Sequence, residues 1–523
     1  MPPVLFNSYV FILLFLPVTL VVYYRLGRRV DSTAAFYWLI LVSLLFYGFW
    51  NIYYPLLLLG SVGFNFLIGR RLLDKESAVS TARKWYLFVG VAGNIIVLGY
   101  CKYANFFIEN LNHFLKLDVA SLPLVLPLAV SFFTFQQIAY LVDTYHHKTE
   151  SVSFLHYLLF VSFFPKLTAG PIVTYAEMFP GLKKTNVARF TAENPVVGVT
   201  IFSLGLFKKV ILAEQAAKYA NPVFAANFNG IECSFFEAWM GIVAYNFQIY
   251  FDFSGYSDMA IGLARMFGFR LPENFNSPYK ASSVIDFWRR WHISLSNFLK
   301  NYIYIPLGGN RRGAPRRYIN LLLTMLLAGL WHGAGWPFIL WGGLHGLFLV
   351  INHLWRKWQG WGHAAVVAII NYGARLWTLG AVTIAWVFFR AEDMTSALRF
   401  LKALVGGHGF SLPYKFGEKM GNWEGTKNFL AQLGVNFSSY NELLESGQLV
   451  VLFLFFALTL GPNVQQIMVY CAPCQKMTAP SPRGFSSRIV WRPNGVCFAL
   501  MLVICLSSFV CLYNASEFVY FRF

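Results

Sequence analysis

Acidic residues are scarce in this chain: 23 Asp and Glu stand against 42 Lys and Arg, and all charged residues together make up only 12% of its 523 residues. With 57% hydrophobic residues and a mean hydropathy of +0.52, it is too apolar for a soluble protein of two or three domains. Cysteine is thin and forms no framework. Cys101, Cys497, Cys505 and Cys511 fall in or beside apolar runs and read as small core residues. The lone Cys471-x-x-Cys474 has neither a second pair nor a nearby histidine, which argues against a zinc site. Internal repeats and low-complexity tracts are missing. So are a Ser-His-Asp arrangement, a HExxH zinc helix and a P-loop, which removes the best-marked hydrolase, metalloprotease and kinase chemistries.

What the chain has is apolar length. Runs such as Val10–Tyr24, Ala34–Trp50, Val196–Phe207, Val366–Phe389, Val450–Met468 and Cys497–Leu512 approach or exceed the length that crosses a bilayer. Window reasoning gives roughly eleven membrane-embedded segments. The expected class is an all-α polytopic membrane protein, one membrane domain over residues 1–523 with a polar insert at about 406–448. Met1–Tyr9 carries no charge, and Arg25, Arg28 and Arg29 follow the first apolar core, the reverse of a secretory signal peptide. By the positive-inside rule the first helix enters from outside and ends in the cytoplasm. The same rule places Arg356, Lys357 and Arg483–Arg492 inside, the polar insert outside, and the terminal Phe518–Phe523 outside.

The net charge of +19 invites a nucleic-acid reading. Its dispersal argues otherwise: Arg70, Arg71, Lys75, Arg83 and Lys84 form one cluster, Arg289 to Arg317 a second, and Arg483, Arg488 and Arg492 a third, each between apolar spans. Loop charge and contact with anionic lipid headgroups account for the excess, and no nucleic acid is expected as a partner. From Arg289 to Arg317 the chain holds seven Lys or Arg, no acidic residue, and interleaved Trp291, Phe298, Tyr302 and Tyr304. That pattern suits helices lying at a membrane interface.

The most telling residues are Trp331-His332-Gly333, inside the apolar run Leu321–Ile351. A polar side chain at membrane depth is costly to keep. Gly333, Gly335 and Pro337 also break the helix there, and irregular backbone in a bilayer is tolerated only against protein or beside a wet cavity. Counted from Arg317 as helix, His332 stands roughly 22 Å in, past the bilayer centre. A neutral imidazole there could take a proton from a hydroxyl; the plainer alternative is a satisfied histidine bridging two helices.

His292, in Phe287-Trp-Arg-Arg-Trp-His-Ile-Ser-Leu-Ser296, sits near two arginines that disfavour its charged form, which suits a base as well as an interfacial histidine. His345, in Gly343-Leu-His-Gly346, could reach the same cavity from the next half-helix. Asp252 and Asp258 are six apart, so on a helix they point about 240° from each other and make no carboxylate dyad; they line a tunnel or fix a histidine, or simply bond between helices. Leu307-Gly-Gly-Asn-Arg-Arg-Gly313 offers glycine amides and two arginines to an anion, and is equally an ordinary turn.

Taken in order, Trp331-His-Gly333, the Phe287–Ser296 block, Tyr302–Gly313 and Gln248–Gly262 resemble the membrane-bound O-acyltransferase family. Ser131–Tyr145, Phe163–Ile172, Val387–Ala391 and Phe518–Phe523 resemble its bacterial alginate O-acetylation branch, so that the likeness spans nearly the whole chain. The resemblance implies a ring of transmembrane and re-entrant helices around a central funnel in the bacterial inner membrane. It implies acetyl-CoA as donor substrate with no permanently bound cofactor or metal, and acetyl transfer to an extracytoplasmic polysaccharide, often through a partner acetyltransferase. On this reading His332 and His292 are the catalytic histidines, with Trp331, His345, Asp252 and Asp258 as tunnel or supporting residues. Arg311, Arg312, Arg289 and Arg290 would hold the CoA phosphates. The insert Gly406–Gln448 matches no family motif, and Phe133–Gln137 departs from the alginate pattern in detail. Alginate, cellulose or another exopolysaccharide fit as acceptors, as does D-alanyl or other acyl transfer to a cell-wall polymer. A transporter or flippase is the rival from another class, because broken helices with midplane polar groups occur there too.

Overall fold

The computed structural model describes residues 5–29, 32–74, 80–149, 152–183, 187–358, 364–413, 424–432, 434–438, 448–471, 473–475, 489–514, 516, 518 and 519. Lys75, Arg483, Arg488 and the terminal residues 520–523 lie outside the described residues.

Helices α1 (Phe11–Arg29), α2 (Ser32–Gly48), α3 (Tyr53–Leu73) and α4 (Thr81–Leu115) open the chain. They turn Leu13, Leu41, Leu56, Leu67 and Ile96 outward, as a face against lipid requires. After α5 (Val130–Tyr145) come α6 (Glu193–Phe228) and α7 (Phe235–Met266). Two short helices follow, α8 (Val284–Trp288) and α9 (Ile293–Leu299), and then α10 (Gly313–His332) and α11 (Trp336–Trp358). The remainder includes α12 (Ala364–Arg390), α13 (Met394–Leu404), α14 (Gln448–Leu460) and α15 (Gly495–Cys511).

Among the described residues, α1, α3, α4, α6 and α11 are long and apolar enough to cross a membrane, and α2 and α15 are shorter apolar helices. This is a multi-pass membrane protein. The expected count of roughly eleven embedded segments is not reproduced by that measure, for a physical reason. α7 is diluted by Gln248, Asp252 and Asp258, and α10 opens on Arg316 and Arg317.

α7 is the axis of the interior, buried without a break from Ala244 to Met266. Ser234 and Glu237 close a reciprocal capping box at its start. Glycine lets α6 lie against it: a Cβ on Gly205 would stand 2.6 Å from Gly255 O, and one on Gly262 2.6 Å from Gly198 O. Such backbone proximity is how helices associate where apolar burial gives little advantage over lipid. At the contact, Lys208 and Lys209 of α6 face Asp258 and Asp252 of α7.

The polar insert supplies the departure from an all-helical chain. β1 (Phe410–Pro413) and β2 (Val435–Ser438) pair in parallel, Phe410 opposite Val435. A helix over Glu424–Gln432 lies on the crossover that parallel strands need.

Candidate active site

The helix break read from the sequence is real. α10 stops at His332, and α11 starts four residues on at Trp336. The two halves pack tightly: a Cβ on Gly342 would collide with Met325 O, and one on Gly329 with Phe338 O. His332, 3% exposed, therefore sits at the closed end of a hairpin. Its ring centroid is 5.0 Å from Trp341 and 5.2 Å from Phe389. The carbonyls exposed by ending α10 are met from α4. Tyr103 Oη donates to Leu330 O (2.8 Å), and Lys102 Nζ donates to Trp331 O (2.6 Å) and His332 O (3.1 Å).

His345 lies one turn below Trp341 on α11 and is fully buried. Trp288 of α8 donates its indole N–H to His345 Nδ1 at 3.3 Å. Nδ1 thus acts as acceptor, and the neutral ring carries its proton on Nε2.

His292 stands at the N-cap of α9 with φ +42°, a left-handed backbone rare for a residue with a Cβ. Its Nδ1 lies 3.1 Å from Asn274 Oδ1. That oxygen also accepts from Ser294 N–H (3.3 Å) and Ser294 Oγ (2.8 Å), while Asn274 Nδ2 donates to Ser257 Oγ on α7 (3.0 Å). Because the Ser294 amide can only donate, Asn274 Oδ1 is an acceptor and His292 Nδ1 must carry the proton. The Nε2 lone pair is left bare, and it has no hydrogen-bond partner among the described residues. Strained backbone at such a residue is a mark of a functional position.

The rings between these histidines are aromatic. Trp331 is 6.2 Å from His292 and 4.9 Å from His332, and Trp341 is 4.8 Å from His345. His332 lies within electrostatic reach of His292, His345 and Lys102.

Two cavities border this cluster, one at Trp288 and the other at Trp331 and His332. One, of about 620 Å³, is lined by Trp288, Arg289, Arg290, Lys300, Tyr304 and Met325 among others. Arg290 is held by Asp286 at 2.9 Å. The other, of about 220 Å³, is lined by Trp50, Tyr54, Lys102, Thr168, Trp331 and His332 among others. The larger is basic and borders the middle of α10 at Leu321, Thr324 and Met325; the smaller borders its end.

The structure thus brings together His332, His292, His345 and Trp331. It sets Arg289 and Arg290 on the wall of the basic cavity. Arg311 and Arg312 stand exposed on a turn where Gly308, Gly309 and Gly313 all have positive φ; their neighbour Asn310 lines that cavity, and they do not. Asp252 and Asp258 lie apart, each with its own lysine. Lys209 reaches Asp252 at 2.5 Å, and Lys208 reaches Asp258 at 2.7 Å. Gln465 adds a hydrogen bond to Asp258 (2.7 Å), and the Val519 amide one to Asp252 (2.9 Å). Phe518 is buried on the Tyr256 ring, 4.7 Å between centroids, so the end of the chain returns to the core at this residue.

Sequence reading missed Asn274, Lys102 and Lys209. A lone lysine in an apolar run was the available signal for Lys102; nothing in the sequence pairs Asn274 with His292.

Residues 145–389 match the family model described as MBOAT, membrane-bound O-acyltransferase family. The chain is 44% identical over 434 residues to a peptidoglycan O-acetyltransferase of Helicobacter pylori, covering 78% of this chain and 81% of that one. It is 40% identical over 405 residues to a probable alginate O-acetylase AlgI of Pseudomonas aeruginosa, covering 76% and 74%. A teichoic acid D-alanyltransferase of Bacillus subtilis is 28% identical over 244 residues, covering 44% and 60%.

Proposed function

The chain belongs to the membrane-bound O-acyltransferase family, and on that premise we propose that it moves an acetyl group from cytoplasmic acetyl-CoA to a hydroxyl of an extracytoplasmic polysaccharide, directly or through a partner acetyltransferase. The observation that carries this reading is the placement of His332 on the wall of one cavity while a larger basic cavity meets the same helix earlier along it, at Leu321, Thr324 and Met325. A thioester donor carrying phosphates suits the basic cavity, where Arg289, Arg290 and Lys300 meet it. A hydroxyl acceptor suits the smaller one, beside His332.

The chemistry balances without further reagents. His332 takes the proton of the acceptor hydroxyl as its oxygen attacks the thioester carbonyl. The C–S bond breaks, and the thiolate leaves with a proton returned by the imidazolium. His292, with a bare Nε2 fixed by Asn274, is a second proton acceptor beside Trp331; His345, with a proton on Nε2, is a donor. Trp331, Trp341 and Phe389 pack around the His332 ring, and such an aromatic shell shields the thioester from hydrolysis.

The relatives support an O-acetylated wall or exopolysaccharide as acceptor, alginate among them. The D-alanyltransferase likeness supports a second reading, transfer of a D-alanyl group to a wall polymer, over a shorter stretch and at lower identity. Membership of an acyltransferase family leaves the transporter reading without support.

The test is release of free CoA from labelled acetyl-CoA by the purified protein in lipid nanodiscs, with candidate glycan acceptors supplied. Wild type should turn over. His332→Ala should lose about 10²–10⁴-fold, the usual worth of a positioned acid or base. Equal release by both proteins refutes the role of His332.

A further inference from the structure

Lys102 is a half-buried lysine of α4 whose ammonium meets the cut end of α10. It lies in a π-helical turn of α4, Gly99–Tyr103, and single π turns inside α-helices recur at functional sites. The turn sends two consecutive side chains to one target. Tyr103 meets Leu330 O, and Lys102 meets Trp331 O and His332 O. Gly333 O, the fourth carbonyl that α10 strands by stopping, accepts from Gly335 N–H at 3.1 Å. Every orphan acceptor at this helix end is therefore filled, three of the four from α4.

The partners of Lys102 are carbonyls of a helix C-terminus, the site where a helix dipole favours a cation. Cutting a helix at membrane depth leaves those carbonyls with no water to bond. A side chain that satisfies two of them holds the Trp331–His332 peptide in place. It also lines the cavity that His332 lines.

We propose that Lys102 is a positioning residue for acyl transfer: by clamping the cut end of α10 through its bonds to Trp331 O and His332 O, it fixes the His332 imidazole on the cavity wall. This rests on His332 being the proton acceptor. Because Lys102 is on the acceptor-side cavity and Arg289 and Arg290 on the other, its loss falls on turnover and not on donor binding.

Lys102→Met, Lys102→Arg, His332→Ala and wild type are compared in nanodiscs by two measurements. The first is CoA release against acetyl-CoA concentration. Lys102→Met should lose about 10–100-fold in kcat, as misplacing a reacting group by about 1 Å can cost about 10²-fold, with donor KM unchanged within about twofold. Lys102→Arg, which can still donate to both carbonyls, should recover most of the loss. The second is hydrogen exchange over residues 330–338, which needs no substrate. Exchange there should rise in Lys102→Met and return toward wild type in Lys102→Arg, with α6 and α7 unchanged. Wild-type turnover in Lys102→Met overturns the proposal, as does unaltered exchange at 330–338. A loss that Arg does not rescue, with exchange raised throughout the protein, assigns Lys102 to general stability and also overturns it. If His332→Ala releases CoA at the wild-type rate, the reading of His332 has failed, and the exchange data still decide whether Lys102 holds the helix end.

Discussion

Replacing Lys209 by Met should destabilise the membrane-embedded fold more than almost any other change to a single charge. Lys209 and Asp252 are 2.5 Å apart with side chains 2% and 1% exposed, and Glu214 lies 3.4 Å from the same ammonium. Removing the lysine leaves a buried carboxylate held among the described residues by the Val519 amide at 2.9 Å. Breaking a buried pair from one side costs about 3–5 kcal/mol, because the surviving charge keeps its desolvation penalty and loses its partner. That is two to nearly four powers of ten in the unfolding equilibrium, at about 1.4 kcal/mol for each. Lys209→Met combined with Asp252→Asn should recover part of the loss, with a coupling of about 1–3 kcal/mol, as expected for residues in direct contact. The assay is equilibrium unfolding in bicelles for wild type, both single variants and the double variant. A Lys209→Met protein within about 0.5 kcal/mol of wild type, or a double variant equal to the sum of the singles, would refute the claim that this contact holds α6 to α7 by charge.

Two further outcomes test the site itself. Asn274→Ala removes the acceptor that keeps the His292 proton on Nδ1; turnover of the folded protein should fall about 10–100-fold, and unchanged turnover would show that the His292 tautomer does not matter. Arg289→Ala removes a cation from the wall of the basic cavity; donor KM should rise about tenfold with kcat nearly constant, the signature of lost uniform binding, and an unchanged KM would place the donor elsewhere.

Much of the site was legible because its signals are local. Trp331-His-Gly333 with Gly335 and Pro337 announces a break, and the break occurs where those residues stand. His345 belongs to the next half-helix at a spacing that brings it to the same cluster, and it is there, bonded to Trp288. The charge pairs were not legible, because Asp258 meets a lysine fifty positions earlier in the chain. Only the packing of α6 on α7 through Gly198, Gly205, Gly255 and Gly262 determines which lysine faces which carboxylate. Asn274 was invisible for the same reason: its importance is a bond to His292 across 18 positions, inside a segment without helical periodicity. The glycine turn Leu307–Gly313 left Arg311 and Arg312 open between two roles, since a turn that cradles an anion and one that merely reverses the chain share a composition.

Three polar contacts connect fold to activity, each made between separate elements: Lys209 with Asp252, Asn274 with Ser257, Lys102 with the end of α10. In a bilayer an unpartnered polar group has no water to fall back on, so these pairs set the register of α4, α6, α7 and α10 more sharply than apolar packing can. The His292 chain runs from α7 through Ser257 and Asn274 to the imidazole, and the His332 clamp runs from α4 to the end of α10. On the proposed reading the two reacting histidines are therefore held by two different helices, α4 and α7, neither of which lines the donor cavity. Loosening either one should change how fast the acetyl group is transferred before it changes how tightly acetyl-CoA is bound.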